Sequence, residues 1–196
     1  MSELQKISHP ILVLVRGIPG SGKSYLANAV KAAIGEDAVV TLDPDATDYS
    51  SPEYLEHTKA LTAEGVDEKF HPYRFVRGKA HRAIAAHKIL IWNQAFTNLD
   101  GFNKTIINLQ AYAEEQGTTL PVLVVEVEVD ADIAKARIAD RVKTGGHDVP
   151  EEAFNRFIND YVSFADKFNT VIVNGGDDVS VSVAAVTKAL EALAKM

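Results

Sequence analysis

Along this chain, short apolar runs alternate with stretches whose apolar residues recur every three or four positions. The runs Ile11–Val15, Ala38–Leu42, Lys88–Trp92, Pro121–Val129 and Thr170–Val173 are nearly continuous in Val, Ile and Leu, as strands covered on both faces are. Between them, Lys23–Ile34 sets Leu26, Val30, Ala33 and Ile34 on one face and stops at Gly35, a favoured residue just past a helix end. Asp100–Glu115 predicts a second helix, closed by Gly117. Ser182–Lys195 predicts the last, with Val183, Val186, Leu190 and Leu193 turned toward a sheet. The alternation of strand and helix predicts an α/β fold with a largely parallel sheet.

The connection from Asp43 to His87 is longer than a minimal crossover. Its two helical stretches, Pro52–Glu64 and Tyr73–Ala86, predict a hairpin over the strand ends, where open α/β sheets bind ligands. Residues 1–196 read as a single domain, with 43–87 as a helical insertion on the substrate side. A capping Asp130 starts a further helix. Gly145 and Gly146 read as a flexible turn, and Pro150 opens a helix expected to bury Phe154, Phe157, Ile158, Tyr161 and Val162; the stretch from about 137 to 150 has the character of a lid. The sequence Asn174–Asp178, NGGDD, reads as a surface turn.

The formal charge of −7 argues against a broad basic surface for holding nucleic acid, because that affinity comes from Lys and Arg on backbone phosphates. The absence of cysteine excludes disulfides, Cys-ligated zinc and a thiol nucleophile. The opening MSELQKISHP lacks the apolar core of a secretory signal, and no run reaches the roughly 20 apolar residues of a membrane span, so a cytoplasmic location is expected.

Chemistry enters at RGIPGSGKSY. Gly17, four residues, then Gly22, Lys23 and Ser24 match the G-x-x-x-x-G-K-[ST] phosphate loop, here following a buried-looking strand and opening an amphipathic helix. Residues Gly17, Ile18, Pro19, Gly20, Ser21, Gly22, Lys23, Ser24 and Tyr25 are therefore the expected ATP-binding segment. The backbone N–H groups would cradle the phosphates, with Lys23 on the β and γ phosphates and Ser24 on Mg²⁺. The second strand ends in LDPDAT. A carboxylate there can orient an acceptor hydroxyl and take its proton, a role that suits Asp45; Asp43 reads mostly as a turn residue. Arg137 and Arg141, four residues apart on one predicted helix, are candidates to clamp a transferring phosphoryl.

Together, RGIPGSGKS, LDPDAT and RIADRVKTGGHDVPEEAFNRF resemble the zeta-toxin-like P-loop kinases, over about Val13–Phe164. The phosphate loop is common to a superfamily; RVKTGGHDVPEE is the specific part. The resemblance implies a kinase-type P-loop NTPase fold, with a five-stranded parallel sheet in the order 2-3-1-4-5 and helices on both faces. It implies ATP with Mg²⁺ as phosphoryl donor, a UDP-N-acetylamino sugar hydroxyl as acceptor, and an antitoxin as partner if the chain is a true toxin. Position by position it puts the general base on Asp45, the loop lysine on Lys23, the lid arginine on Arg141 and a second lid cation on His147. It also makes HPYRFVRGKAHRAI the acceptor helix, with Arg74, Arg77 and Lys79 as candidates. The chain departs from that pattern at the end of the third strand, where Asn93 and Gln94 replace an expected carboxylate. These amides can hydrogen-bond an acceptor but supply no charge to a cation. Kinases of nucleosides, antibiotics or polynucleotide 5′-hydroxyls, and a non-catalytic ATP-binding switch, are alternatives on the same residues.

Overall fold

The computed structural model describes residues 3–196; Met1 and Ser2, part of the opening stretch read above, lie outside them. Five strands, β1 (Ile11–Arg16), β2 (Val39–Leu42), β3 (Ile89–Asn93), β4 (Val122–Glu128) and β5 (Thr170–Asn174), form one sheet in the order β2-β3-β1-β4-β5. Every pairing is parallel. This is the expected kinase-type order. Seven α-helices among the described residues connect the strands: α1 (Lys23–Ile34), α2 (Pro52–Ala63), α3 (His71–Ala85), α4 (Leu99–Glu115), α5 (Ala131–Lys143), α6 (Glu151–Asp160) and α7 (Val179–Leu193). None is long and apolar enough to cross a membrane.

Strand β1 is buried along its whole length because it lies in the middle of the sheet with helices on both faces. Its alternate residues serve different layers. Ile11, Val13 and Val15 pack with Leu26, Val30 and Ile34 of α1 and Val186 and Leu190 of α7. Leu12 and Leu14 pack with Val76, Ala80 and Ile84 of α3 and Phe102, Ile106 and Leu109 of α4. Each such aliphatic side chain stabilises the fold by about 1.5–3 kcal/mol on burial. Thus α3 is a sheet-covering crossover helix, and α2 packs outside it. A third, small cluster of Ala134, Ile138 and Phe154 holds α5 and α6 against Ile18 of the loop after β1.

Two local expectations change. Helix α6 stops at Asp160 and buries only Phe154 fully, leaving Ile158 and Val162 exposed. It contributes one anchor to a small lid cluster in place of a five-residue core face. The pair Gly145–Gly146 is a built helix cap. Gly145 is left-handed (φ 86°), its N–H donates to Val142 O at 3.0 Å, and the Gly146 N–H donates to Arg141 O at 3.0 Å, the Schellman closure of α5.

Candidate active site

In the observed strand order, connections from β1 run to one side through β2 and β3 and to the other through β4 and β5. The carboxyl end of β1 is therefore the switch point of the sheet, where open α/β folds form their crevice. The loop Gly17–Gly22 occupies that point. Gly17, Gly20 and Gly22 all have positive φ (155°, 81° and 100°), and a side chain on Gly20 would run into the backbone of Ala134. Helix α5 thus lies directly on the loop, and only glycine fits beneath it. The Lys23 ammonium donates to the carbonyls of Gly17 (2.9 Å) and Ile18 (2.8 Å). Burial pulls its pKa down to about 8, partly offset by the negative fields of Asp45 and Asp43 and reinforced by the positive field of Arg141. Lys23 is thus the point on which Asp43, Asp45 and Arg141 converge electrostatically.

The register of the sheet explains the neighbours of Ser24. Leu42 pairs with Trp92, so the next residues, Asp43 and Asn93, leave β2 and β3 side by side. The Asn93 side-chain amide donates to Ser24 Oγ at 2.8 Å and to Asp43 Oδ2 at 2.5 Å. The other oxygen of Asp43 accepts from the backbone N–H of Asp45 (2.9 Å) and Ala46 (3.2 Å), and Thr47 Oγ1 donates to the Asp43 carbonyl (2.7 Å). Asp43 therefore does shape the turn, as its sequence context suggests, but it also faces the phosphate-loop serine through Asn93. That second position is tertiary in origin.

The two lid arginines have different partners. Arg141 sends Nε and Nη2 to the carbonyl of His147 (3.1 and 2.7 Å), and a Cβ on Gly146 would strike its side chain. The first glycine of the TGGH turn caps the helix and the second makes room for this arginine. His147 takes part through its backbone; its ring is exposed. Arg137, one turn earlier, reaches the phosphate loop and the turn after β5. Its Nη2 donates to Gly175 O at 2.8 Å, and its Nη1 lies 3.4–3.5 Å from the carbonyls of Ser21 and Gly20.

Arg137 thereby forms a wall of a hollow of about 280 Å³, lined also by Gly22, Tyr25, Val173, Asn174 and Gly175. The NGGDD segment is correspondingly part of the site and not a plain surface turn. Gly175 is pressed so closely on Ser21 that a Cβ would collide with the Ser21 carbonyl, and its N–H donates to Glu128 O at 2.7 Å. A second glycine within five residues of a strand end was the available signal; its partner, the phosphate loop, is remote in sequence.

A second cleft, of about 550 Å³, lies at Asp45. Tyr73 of α3, Gln94–Asn98, Lys104 and Thr105 of α4, Phe157 of α6 and Asp45 line it, Asp45 being its one carboxylate. Of the three basic candidates on α3, none lines this cleft. Arg77 lies one turn from Tyr73, next to His81, which stacks on Tyr112 of α4 at 3.8 Å. Arg74 is exposed, and Lys79 turns away to sit 4.6 Å over the Phe75 ring. Tyr73 and Lys104 were not singled out by the sequence, because nothing local marks them, and Phe157, expected in a buried helix face, lines the cleft instead.

Two further charges are wholly buried. Arg16 and Glu126 are register partners on β1 and β4 and form an ion pair at 2.5 Å. Arg16 also donates to Val162 O (2.8 Å) and Phe96 O (3.1 Å), with its guanidinium 3.6 Å above the Phe164 ring, while Glu126 accepts from Ser163 Oγ and Phe164 N. The pair ties the loops after β3 and α6 to the root of the phosphate loop, and it holds Phe96, at positive φ (48°), in the floor of the cleft. A charge in each of two apolar strands was legible; that they meet was not.

Among the described residues no group of three or more His, Cys, Asp or Glu could hold a metal ion by itself. Ser24 and Asp43 do fit a cation shared with phosphate oxygens, the usual arrangement for Mg²⁺. The buried Oδ1 of Asn93 and Oγ of Ser21 beside them have no hydrogen-bond partner.

The zeta toxin family model matches residues 2–185. No curated protein matches the chain in sequence. Similar solved structures include a gluconokinase from Sinorhizobium meliloti 1021 (19% identity, 95% of each chain covered, TM-score 0.58). A putative kinase from Chloroflexus aurantiacus follows (16% identity, 92% of this chain and 98% of that one, TM-score 0.65). The PezAT chromosomal toxin–antitoxin system of Streptococcus pneumoniae is also similar (15% identity, 88% and 72%, TM-score 0.58). At these identities the structural likeness establishes the fold.

Proposed function

The chain belongs to the zeta toxin family of P-loop phosphotransferases, and from that membership we propose that it moves the γ-phosphoryl of Mg²⁺-ATP onto a hydroxyl of a small polar acceptor held in the cleft beside Asp45. One observation carries this reading: Asp45 lines the cleft while its charge acts on Lys23 in the phosphate loop, so one carboxylate faces both sides of the transfer. ATP would lie with its base and ribose in the hollow walled by Arg137, Tyr25 and Gly175 and its phosphates under the loop amides. Mg²⁺, held with Ser24, would supply charge neutralisation at the phosphates.

Asp45 would take the acceptor O–H proton as the oxygen bonds to the γ-phosphorus and the bond to the β–γ bridging oxygen breaks, releasing ADP. Lys23 and Arg141 would stabilise the charge on the transferring group. Arg137 would shape the donor hollow and contribute to ATP binding. This departs from the paired-clamp expectation because Arg137 and its partner Gly175 line the hollow, whereas it is the field of Arg141 that acts on Lys23.

The cleft's chemistry supports an acceptor with several hydroxyls and at most one negative group, a sugar or a nucleoside. Tyr73, Phe96, Phe102 and Phe157 offer apolar faces, Gln94, Thr97, Asn98 and Thr105 offer hydrogen bonds, and Lys104 is its one cation. A diphosphate would call for several converging cations. A UDP-N-acetylamino sugar is the second reading, favoured by family membership and by a cleft larger than a monosaccharide needs. The toxin–antitoxin neighbour supports a protein antitoxin as a partner; growth arrest on overexpression that requires Lys23 would be its first sign.

The test is label transfer from γ-labelled ATP to sugars, nucleosides, aminoglycosides, UDP-N-acetylamino sugars and 5′-hydroxyl oligonucleotides. Asp45→Asn should leave ATP binding intact and cut transfer about 10²–10⁴-fold. Transfer to no acceptor, with ATP still bound, would leave a nucleotide-binding switch, and an undiminished Asp45→Asn rate would remove the base.

A further inference from the structure

The end of β3 carries an amide where an acidic residue would be needed to support a cation next to the loop serine, and the structure puts a carboxylate beside that amide from another strand. Asn93 is buried, 4% exposed, and its single Nδ2 bridges Ser24 Oγ and Asp43 Oδ2. The two bridged oxygens therefore stand within about 5 Å of each other. The remaining oxygen of the same amide, Oδ1, is buried without a partner, an arrangement that costs free energy unless a ligand or an ordered water completes it. Asp43 Oδ1 is already engaged by the turn N–H groups of Asp45 and Ala46, so Oδ2 is the oxygen turned to the serine. A neutral amide that only donates to both groups brings no charge to a cation; the aspartate does.

We propose that Asp43, on β2, is the acidic partner of the nucleotide's divalent cation. Asn93 holds Asp43 and Ser24 in register, so that the carboxylate function of β3 has moved one strand sideways. This rests on the kinase reading only as far as nucleotide binding at the loop. Asp43 then has two jobs on two oxygens: one fixes the turn that presents Asp45, the other faces the metal. The division explains why two aspartates separated by a proline are needed there, Asp45 toward the acceptor and Asp43 toward the cation.

The swap of the two side chains is the decisive experiment. Asp43→Asn keeps an Oδ1 for the turn bonds but removes the charge, and adding Asn93→Asp returns one carboxylate to the site, on β3, with the amide–carboxylate bond reversed. Mn²⁺ binding in the presence of a non-hydrolysable ATP analogue, followed by electron paramagnetic resonance, reads the cation without turnover. Calorimetry with the analogue in EDTA reads metal-free nucleotide binding. Asp43→Asn is expected to weaken Mn²⁺ about 10–100-fold. Metal-free nucleotide affinity should stay unchanged or rise, since a negative charge is gone, and the double variant should recover most of the Mn²⁺ affinity. Wild-type Mn²⁺ affinity in Asp43→Asn would overturn the assignment. So would a loss that the double variant does not repair, which would reduce Asp43 to a turn residue. A wild-type protein that binds no nucleotide under either condition would instead bring down the kinase reading itself.

Discussion

The two hollows of the proposed site, one beside Gly22 and one beside Asp45, are built by different means. The proposed donor hollow sets two glycines whose places no other residue could take, Gly22 and Gly175, among Tyr25, Leu26, Val127, Val173 and Val179, and Arg137 holds the Gly175 carbonyl beside it. The acceptor cleft is a side-chain construction, assembled from Asp45 after β2, Tyr73 on α3, the loop after β3, Lys104 and Thr105 on α4 and Phe157 on α6. A surface that depends on glycines needs them at particular places and tolerates little change. A surface of side chains can be rewritten one residue at a time without disturbing the sheet beneath. On the proposed reading, the glycine-built side holds the phosphate donor and the side-chain-built side selects the acceptor.

The largest effect should come from Lys23, which on the proposed reading holds the phosphates between donor and acceptor. Lys23→Ala is expected to lower transfer by about 10²–10³-fold or more, with weaker ATP binding, in a steady-state assay. A rate near wild type would dissolve the distinction between the hollows by removing their common centre. Next come the arginines, which should separate cleanly. Arg141→Ala should lower kcat about 10²-fold with the KM for ATP nearly constant. Arg137→Ala should raise the KM for ATP about tenfold with kcat nearly constant. Equal effects on kcat in both variants would return them to a joint clamp.

A smaller and one-sided effect is expected from Tyr73→Ala: the acceptor KM rises about tenfold while the KM for ATP holds, because truncating an aromatic wall costs roughly 1–2 kcal/mol. A change in the ATP constant instead would mean that the cleft has been given the wrong ligand.

The mildest test uses pH. Lys23 titrates at about 8 in the free protein, and phosphates bind its charged form, so between pH 7 and 9 ATP affinity should fall about tenfold with proton uptake on binding. Folding runs the other way. The unfolded chain keeps the Lys23 proton up to its ordinary value of 10.5 while the native protein releases it from about 8, so between those values the unfolded state binds more protons. This residue's contribution to stability therefore rises with pH. Lys23→Met should flatten both slopes, measured by calorimetry and by thermal melts.

Five strands, the helix after the phosphate loop and the loop itself were written in local pattern. A strand covered on both faces must be apolar throughout, an amphipathic helix must repeat its apolar positions, and an anion-binding turn must carry glycine where φ is positive. The candidates Asp45 and Arg141 came from local pattern too, and both lie close enough to Lys23 for their charges to act on it. Three things were decided only when the chain folded. The register Leu42↔Trp92 set Asp43 beside Asn93, whose amide also holds Ser24, giving a turn residue a second partner next to the phosphate loop. The register Arg16↔Glu126 matched two buried charges 110 residues apart. The packing of α5 on Gly20 and of Gly175 on Ser21 gave Arg137 and Arg141, one turn apart, different partners. Local pattern settles which residues can form a strand, a cap or an anion-binding turn, because those demands act over a few residues. Which charges meet across the sheet depends on strand order and register, and these are fixed by the packing of the whole core.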